Sequence, residues 1–475
     1  TQPGGGGTQT TLPGGTTSTT ILPNPDVNWG PAGTTSVIAK GTVGGGSAFR
    51  PWMSADGRYL VFDSDAKKVM GGAGDPAPGI RDVYLYDRTT GGLERISVGP
   101  GGRRANVPGN GSGCANPCGS QRPTISADGR YVAFWSSADN LVDGDTNGEP
   151  DAFLRDRQTG TTTLISKGFQ GAQANGESRR PVVSRDGTFV AFESAASNLI
   201  APASCGLLTP CTGGDKNNAD DVYLYEVGTG AITLMSADAK GSAGNGASNR
   251  PSLSGNGRKV VFQSEASNLV ANDANGATSD VIMRDVAAGQ TTIVSTNSAG
   301  AQSDKSSTSP SISADGRWVS FDSRATTFNP ADSGGDVDVY VKDLETGAIE
   351  QVSVRSGGGQ ASAPAGGIVG GDSTVSADGR FVAFWSDAPN LVDGDTNGDL
   401  CDADKRPCSD VFVRDRATNT TTRMTSTNGV EGNEESYSPA LSMDGKFVAF
   451  DSKATSLDPS GGSTSSQDIF VHVNF

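Results

Sequence analysis

Histidine is nearly missing from this chain. There is one in 475 residues, His472, so any Ser-His-Asp or Cys-His device would have to be built around that single side chain. It falls in the last apolar stretch of the sequence, where a structural role is expected. No Gly-x-Ser-x-Gly nucleophile elbow occurs either. A Ser-x-Asp-Gly motif is present, but it departs from the sialidase Asp-box. Its Gly comes one residue early and no Thr-Trp follows. Loop carboxylates remain as a conceivable pair for glycoside cleavage, yet the expectation from these absences is a protein that is not an enzyme.

Other scarcities point the same way about class. No apolar run approaches the length of a membrane span, and the start has no leader of the secretory kind, so a processed mature form is expected. Basic residues are outnumbered, 37 Lys and Arg against 53 Asp and Glu, which leaves a net charge of −16. That balance argues against nucleic acid and against insertion into or binding of anionic membranes. Hydrophobic residues make up only 34% and aromatics 6%, while Gly reaches 66. A modest core with many turns is implied.

What is abundant is repetition. The unit Ser54-Ala-Asp-Gly-Arg-Tyr-Leu-Val-Phe62 recurs at Ser126, Ser184, Ser254, Ser313, Ser376 and Ser442, at intervals of 58 to 72 residues. A period of that size marks a supersecondary unit that needs neighbours to bury its faces. In the second copy Pro123–Ser126 reads as a strand, Asp128-Gly129 as a hairpin turn and Tyr131–Ser136 as the partner strand. After a longer loop come Ala152–Asp156, a turn, and Thr161–Ser166. Third strands of the other copies include Asp82-Val-Tyr-Leu-Tyr-Asp87 and Asp338-Val-Tyr-Val-Lys-Asp343. Four short antiparallel strands per copy, seven copies and no helical periodicity predict an all-β, seven-bladed β-propeller of four-stranded blades.

The seventh copy ends after its third strand, at Phe475. Its fourth strand is expected from the other end of the chain, Thr35-Ser-Val-Ile-Ala39, which closes the ring and removes an open edge. Residues 34–475 are thus read as the propeller, with 34–40 supplying the outer strand of the last blade. The Ser-x-Asp-Gly-Arg … Asp-Val-Tyr-Leu-x-Asp-x-x-Thr-Gly unit resembles the repeat of TolB-type, WD-like bacterial propellers. That resemblance covers the propeller only and implies a protein-binding module, periplasmic or surface-associated. A fold alone does not carry a function.

The six cysteines fall in three close pairs within loop insertions: Cys114 and Cys118, Cys205 and Cys211, Cys401 and Cys408. Zinc competes with disulfides as a reading. No pair has a nearby histidine, and local disulfides are expected, which imply an extracellular, cell-surface or periplasmic site. In a four-stranded blade all these insertions lie on one face, opposite the uniformly short turns, making that face a candidate binding surface.

The loop Asp143-Gly-Asp145-Thr-Asn147-Gly-Glu-Pro-Asp151 places oxygens at alternate positions about a Gly turn, a pattern that wraps hard cations. The sixth copy repeats it with Asp393, Asp395, Asn397 and, beyond an insertion, Asp410. These eight residues are expected to bind structural Ca²⁺. The competing reading is solvated Asx-turns, favoured for the weaker loops at Asp215, Asn217 and Asp220 and at Asp273, Asn275 and Asp280. An EF-hand loop would carry Glu where Leu154 stands. Trp135 and Trp385 share one repeat position, held elsewhere by Asp63, Glu193, Gln263, Asp322 and Asp451. Packing between blades is the expectation for both, with a sugar platform as the alternative.

Residues 1–33 belong to no repeat and contain eight Gly, eight Thr, five Pro and one charge, Asp26. Fully extended, such an arm reaches roughly 100 Å. Its apolar stations Leu12, Ile21, Leu22, Val27 and Trp29 suit docking on another copy, and a one-directional contact of that kind builds filaments. Docking on its own ring and a Thr-rich linker are the alternatives. The expected function is a secreted, non-catalytic structural or interaction protein that assembles with other copies through residues 1–33. The alternative is a propeller that binds a glycan or a surface protein on its long-loop face.

Overall fold

The computed structural model describes residues 31–39, 46–66, 69, 80–106, 118–201, 217–238, 240–331, 335–361, 371–395, 401, 408–458 and 466–475. The arm stations Leu12, Ile21, Leu22, Val27 and Trp29 lie outside them, as do Cys114, Cys205, Cys211 and Asn397. No α-helix occurs among the described residues.

Each copy of the sequence unit folds as an antiparallel meander. In repeat 2 the strands are Cys118–Ile125, Tyr131–Ser136, Asp151–Asp156 and Thr161–Leu164, paired in that order. Among the described residues there are five separate four-stranded sheets, one eight-stranded sheet and a two-stranded ribbon of Ser426–Thr427 with Val430–Glu431. In the eight-stranded sheet, repeats 1 and 2 are fused by a short parallel pairing of Ile80 with Cys118 and Arg81 with Gly119. Thr35–Ala39 pairs antiparallel with the last strand, Thr35 opposite His472 and Val37 opposite Phe470. The two ends of the chain thereby share one sheet.

The recurring residues each have a mechanical task. Ser126 Oγ donates to Asp128 Oδ1 (2.6 Å) and accepts the N–H of Tyr131 (2.9 Å), while Asp128 Oδ1 accepts from Arg130 N (2.9 Å). This local knot sets the hairpin. The Arg130 guanidinium then grips Asp156 at the end of the third strand, at 2.7 Å. Asp151, at the start of that strand, accepts from Ser166 Oγ (2.6 Å), and Asp82 and Asp280 do the same with Ser97 and Ser295. Gly129 has φ +74°, and a Cβ there would lie 2.2 Å from the ring of Tyr59 in repeat 1. The turn glycine is therefore both a left-handed residue and the seat for the preceding repeat's aromatic side chain.

Hydrophobic burial runs between repeats. Val61, Val83 and Leu85 of repeat 1 pack with Ile125, Val132 and Phe134 of repeat 2 in one cluster, and similar clusters follow. No sheet has both faces covered by its own residues, so each depends on its neighbours.

Backbone hydrogen bonds at the Ser-x-Asp-Gly turns link one repeat to the next in a cycle. Ala55 N donates to Ala127 O, Ala127 N to Arg185 O, Asp186 N to Gly255 O and Gly255 N to Ala314 O, at 2.8 to 3.4 Å. Asp315 N then donates to Ala377 O, Ala377 N to Met443 O, and Met443 N returns to Ala55 O at 3.0 Å. The innermost strands thus surround one axis.

Candidate functional site

The first strand of each repeat carries a bulge. In repeat 1, Phe49 faces Asp63 and Trp52 faces Val61, which sets two residues, Arg50 and Pro51, against one, Phe62. At this point Arg50, Arg122, Arg180, Arg250, Ser309, Asp372 and Ser438 all adopt positive φ, between 44° and 53°. Non-glycine residues rarely do so, because Cβ crowds the backbone. Proline follows six of the seven; Asp372 precedes Ser373.

Strained positions of this kind need support, and the preceding repeat supplies it. Asp63 Oδ1 accepts the N–H of Arg122 (3.2 Å), Glu193 Oε2 that of Arg250 (2.9 Å), and Gln263 Oε1 that of Ser309 (3.0 Å). Asp322 accepts from Asp372 (3.1 Å), and Asp451 from Arg50 (3.4 Å). Those acceptors share the sequence position that Trp135 and Trp385 occupy. A tryptophan cannot accept, and each instead packs on the next repeat: Arg179 lies 5.3 Å from the Trp135 ring, and Tyr437 meets Trp385 edge-on at 5.1 Å.

The seven bulges rim a cavity of about 210 Å³, lined by Arg50, Arg122, Arg180, Arg250 and the prolines beside them. Arg50 lies 3.9 Å from Asp63 and donates to Gln121 (3.3 Å), Arg180 pairs with Glu193 (3.1 Å), and Arg250 pairs with Asp372 (3.0 Å). The Arg122 guanidinium makes no hydrogen bond or ion pair among the described residues. Burial, followed by the neighbouring Arg50 and Arg180 charges, pushes it down to about 9. It is still a cation at neutral pH. Behind the rim, burial pushes Asp451 up to about 6 and holds Asp322 well above the usual carboxylate range. The arrangement is a basic mouth in an acidic protein.

Among the described residues, which exclude Asn397, the expected cation ligands come together only in part. In repeat 2 Asp143 is 89% exposed and sits 3.5 Å from Arg103. Asn147 spends its amide on the fold, donating to Asp151 (2.9 Å) and accepting from Glu149 N (3.1 Å). Asp145 and Asp151 remain; burial pushes them up to about 7 and about 6, and no basic side chain offsets it. In repeat 6 Asp393 is 95% exposed and pairs with Arg355 at 2.8 Å. Asp395 and Asp410 do meet there, joined by Glu431, with carboxylate oxygens within 4.8 Å of one another. Those three acids are a set that can hold a divalent metal ion, and nothing about them selects calcium. Arg423 Nη1 also sits among them, 3.9 Å from Asp395 and paired with Glu431. In repeat 4 the Gln302 amide does the equivalent, donating to Asp273, Asn275 and Asp280 at 2.7 to 2.9 Å.

Cys401 and Cys408 form a disulfide with Cα atoms 4.9 Å apart, and Cys118 is disulfide-bonded. His472 is buried, its Nδ1 2.8 Å from Thr35 Oγ1, whose own proton goes to Ser426 O. Burial pushes it down to about 4, and it serves the seam between the chain ends.

Neither the arginine mouth nor Glu431 was anticipated. The signal for the first is in the sequence: Arg-Pro stands four times at the same place in the repeat, at 50, 122, 180 and 250. Glu431 has no such signal, since its counterparts at the bridges are Arg104, Ala243, Gln302 and Gln360.

No family model matches the chain, and no curated protein matches it in sequence. Solved structures do. The oligogalacturonate lyase of Vibrio parahaemolyticus superposes with a TM-score of 0.50 at 14% identity, covering 92% of each chain. An oligogalacturonate lyase in complex with manganese gives 0.48 at 13%, over 94% of this chain and 98% of that one. A putative TolB of Agrobacterium tumefaciens gives 0.36 at 18%, over 64% and 79%. The first likeness establishes the fold class, an all-β propeller, and not the activity. It does overturn the expectation that the chain is no enzyme. The same frame carries a lyase, and elimination needs no Ser-His-Asp or Cys-His nucleophile, so the lack of those devices excludes less than it seemed to.

Proposed function

We propose that residues 34–475 form a closed seven-bladed propeller that binds an anionic saccharide of the uronate type in the mouth of its axial channel. The observation that carries this reading is Arg122, a guanidinium with no partner among the described residues, held with three other arginines around one cavity. A guanidinium matches a carboxylate in two parallel hydrogen bonds and is the side chain of choice where such recognition is buried. Three of the four bulges that present the arginines, those at Arg50, Arg122 and Arg250, are braced from behind by an acceptor, which sets them in place before any ligand arrives. The net charge of −16 repels polyanions at long range. Recognition therefore rests on short-range pairing, which favours short oligomers over long chains. The oligogalacturonate lyases, which have the same frame, are named for a ligand of this chemistry.

In repeat 2 the structural calcium keeps a reduced form in this reading, with Asp145 and Asp151 as its two carboxylates. No residue assembling the arm onto another copy enters the reading.

The test is calorimetric titration with short oligogalacturonates, with neutral malto-oligosaccharides of equal length as the control. Binding is expected for the acidic oligomers alone, with affinity at least about tenfold weaker in Arg122→Gln. Equal binding of the neutral series, or an unaltered affinity in the variant, would refute it. The same mixtures are assayed for unsaturated products, because the frame is one that supports a lyase.

A further inference from the structure

A second unpartnered arginine lies at the other end of the same strands. In repeat 3 the innermost strand runs from Arg180 at the mouth to Val183, and Arg185 follows in the turn, five residues beyond Arg180. At about 3.3 Å per residue the two ends are roughly 15 Å apart. Arg185 occupies the second position of the Ser-x-Asp-Gly turn, in the cycle of backbone hydrogen bonds. The other six repeats have Ala at four of these positions, Gly255 and Met443. Side chains here face one another around the axis: a Cβ built on Gly255 would lie 3.2 Å from Ala314 Cβ.

The Arg185 side chain has no acid to meet. Its Nη1 is enclosed and makes no hydrogen bond. Asp186, next in the chain, is committed to Ser184 Oγ (2.7 Å), Thr188 N (3.0 Å) and Thr188 Oγ1 (2.7 Å). Burial alone pushes the guanidinium down to about 10, with no neighbouring charge acting on it, so it stays protonated at neutral pH. Arg185 as a whole is only part-buried, but an enclosed donor left unsatisfied asks for an unseen partner. The neighbours of Arg185 in the ring of backbone hydrogen bonds are Ala127 and Gly255, so the groups beside it are small and uncharged.

We propose that Arg185 holds a small monovalent anion, a halide or a simple carboxylate, at the axial floor of the ring. This site is separate from the mouth: Arg185 does not line the arginine cavity. The anion would neutralise the one charge that the folded ring encloses there and so act as a structural ligand.

The test is thermal unfolding of the full chain in sodium bromide, sodium acetate and sodium gluconate at equal ionic strength, beside Arg185→Met. Bromide should raise the midpoint by roughly 2–4 °C over gluconate in the native protein, and leave Arg185→Met unchanged. A gain with acetate as well identifies a carboxylate-sized site; a gain with bromide alone identifies a halide site. In gluconate the variant should equal or exceed the native protein, since the unpaired charge is gone. No bromide gain in the native protein, or the same gain in the variant, overturns the proposal. Should the variant fail to fold, crystals of the native protein grown in bromide decide the matter. An anomalous peak within hydrogen-bond reach of Arg185 supports the site, and its absence removes it. Loss of oligogalacturonate binding at the mouth would leave either result standing.

Discussion

Replacing Asp145 by Asn should stabilise the protein in chelator at pH 8 and do little at pH 4. Asp145 is only 8% exposed, and its carboxyl is pushed up to about 7 first by burial, then by Asp151 and Asp139. A carboxylic acid whose pKa is higher in the folded than in the unfolded state binds its proton more tightly when folded. Its stabilising effect is complete in acid, below the ordinary value near 4, and is lost as pH rises through 7. Displacement from near 4 to about 7 amounts to about 4 kcal/mol at full burial, and about 2–4 kcal/mol after allowance for solvent near the loop. At about 2.1 cal/mol/K per residue, 1 kcal/mol moves the midpoint of a unit this long by about 1 °C. In chelator Asp145→Asn should therefore melt about 2–4 °C above the native protein at pH 8, and level with it near pH 4. A divalent cation inverts the order at pH 8, because it binds the ionised Asp145–Asp151 pair and the variant has lost one ligand. Scanning calorimetry in calcium, in manganese and in chelator reads both effects. A variant that melts below the native protein in chelator at both pH values would show that the side chain is a plain structural acceptor, and the argument from burial would fail.

Two further outcomes follow from the same structure. His472 is pushed down to about 4 at the seam with Thr35, so the stability it confers is present above pH 6.5 and is lost as pH falls towards 4, to a total of about 3 kcal/mol. His472→Gln should flatten that part of the acid limb in pH-dependent denaturant melts; an unaltered limb would place the acid sensitivity elsewhere. Gly129→Ala puts a Cβ 2.2 Å from Tyr59 at φ +74°, whereas Gly144 at φ +84° has nothing within 4 Å of the same atom. The first substitution should cost at least about 2 kcal/mol more than the second, which suffers only the backbone penalty of about 1 kcal/mol. Equal losses in urea titrations would mean that the aromatic seat yields freely.

The repeat could be read because its markers are local. Ser126, Asp128, Gly129 and Arg130 lie within five residues and interact mainly with one another, so the hairpin they build is present in the sequence. Thr35–Ala39 could be assigned to the last sheet for a similar reason: a missing strand and a spare one match. The arginine mouth was harder to see because no single repeat contains it. Arg122 reads as the residue before a proline until seven bulges are arranged round an axis, and only then does its lack of a partner have meaning. The Asp-x-Asp-x-Asn-Gly loops were legible only in part, since their spacing describes where oxygens can go but not what stands beside them. Asn147 closes on Asp151, Gln302 enters the repeat 4 loop, and Arg423 stands among the repeat 6 acids. Each puts a protein donor beside an acid that the pattern offered as a ligand, while Asp145 has no basic neighbour and Asp395, Asp410 and Glu431 stay close enough to hold a divalent ion. The buried Asp at the head of each third strand must be satisfied in every repeat, and the means differ: Arg104 for Asp82, Asn217 for Asp221, Gln302 for Asp280, Gln351 for Asp338. Loop chemistry that looks like ligand binding is therefore first a solution to burying one acid per repeat. Arg122 and Arg185 have no such internal solution among the described residues, and the two proposals rest on that difference.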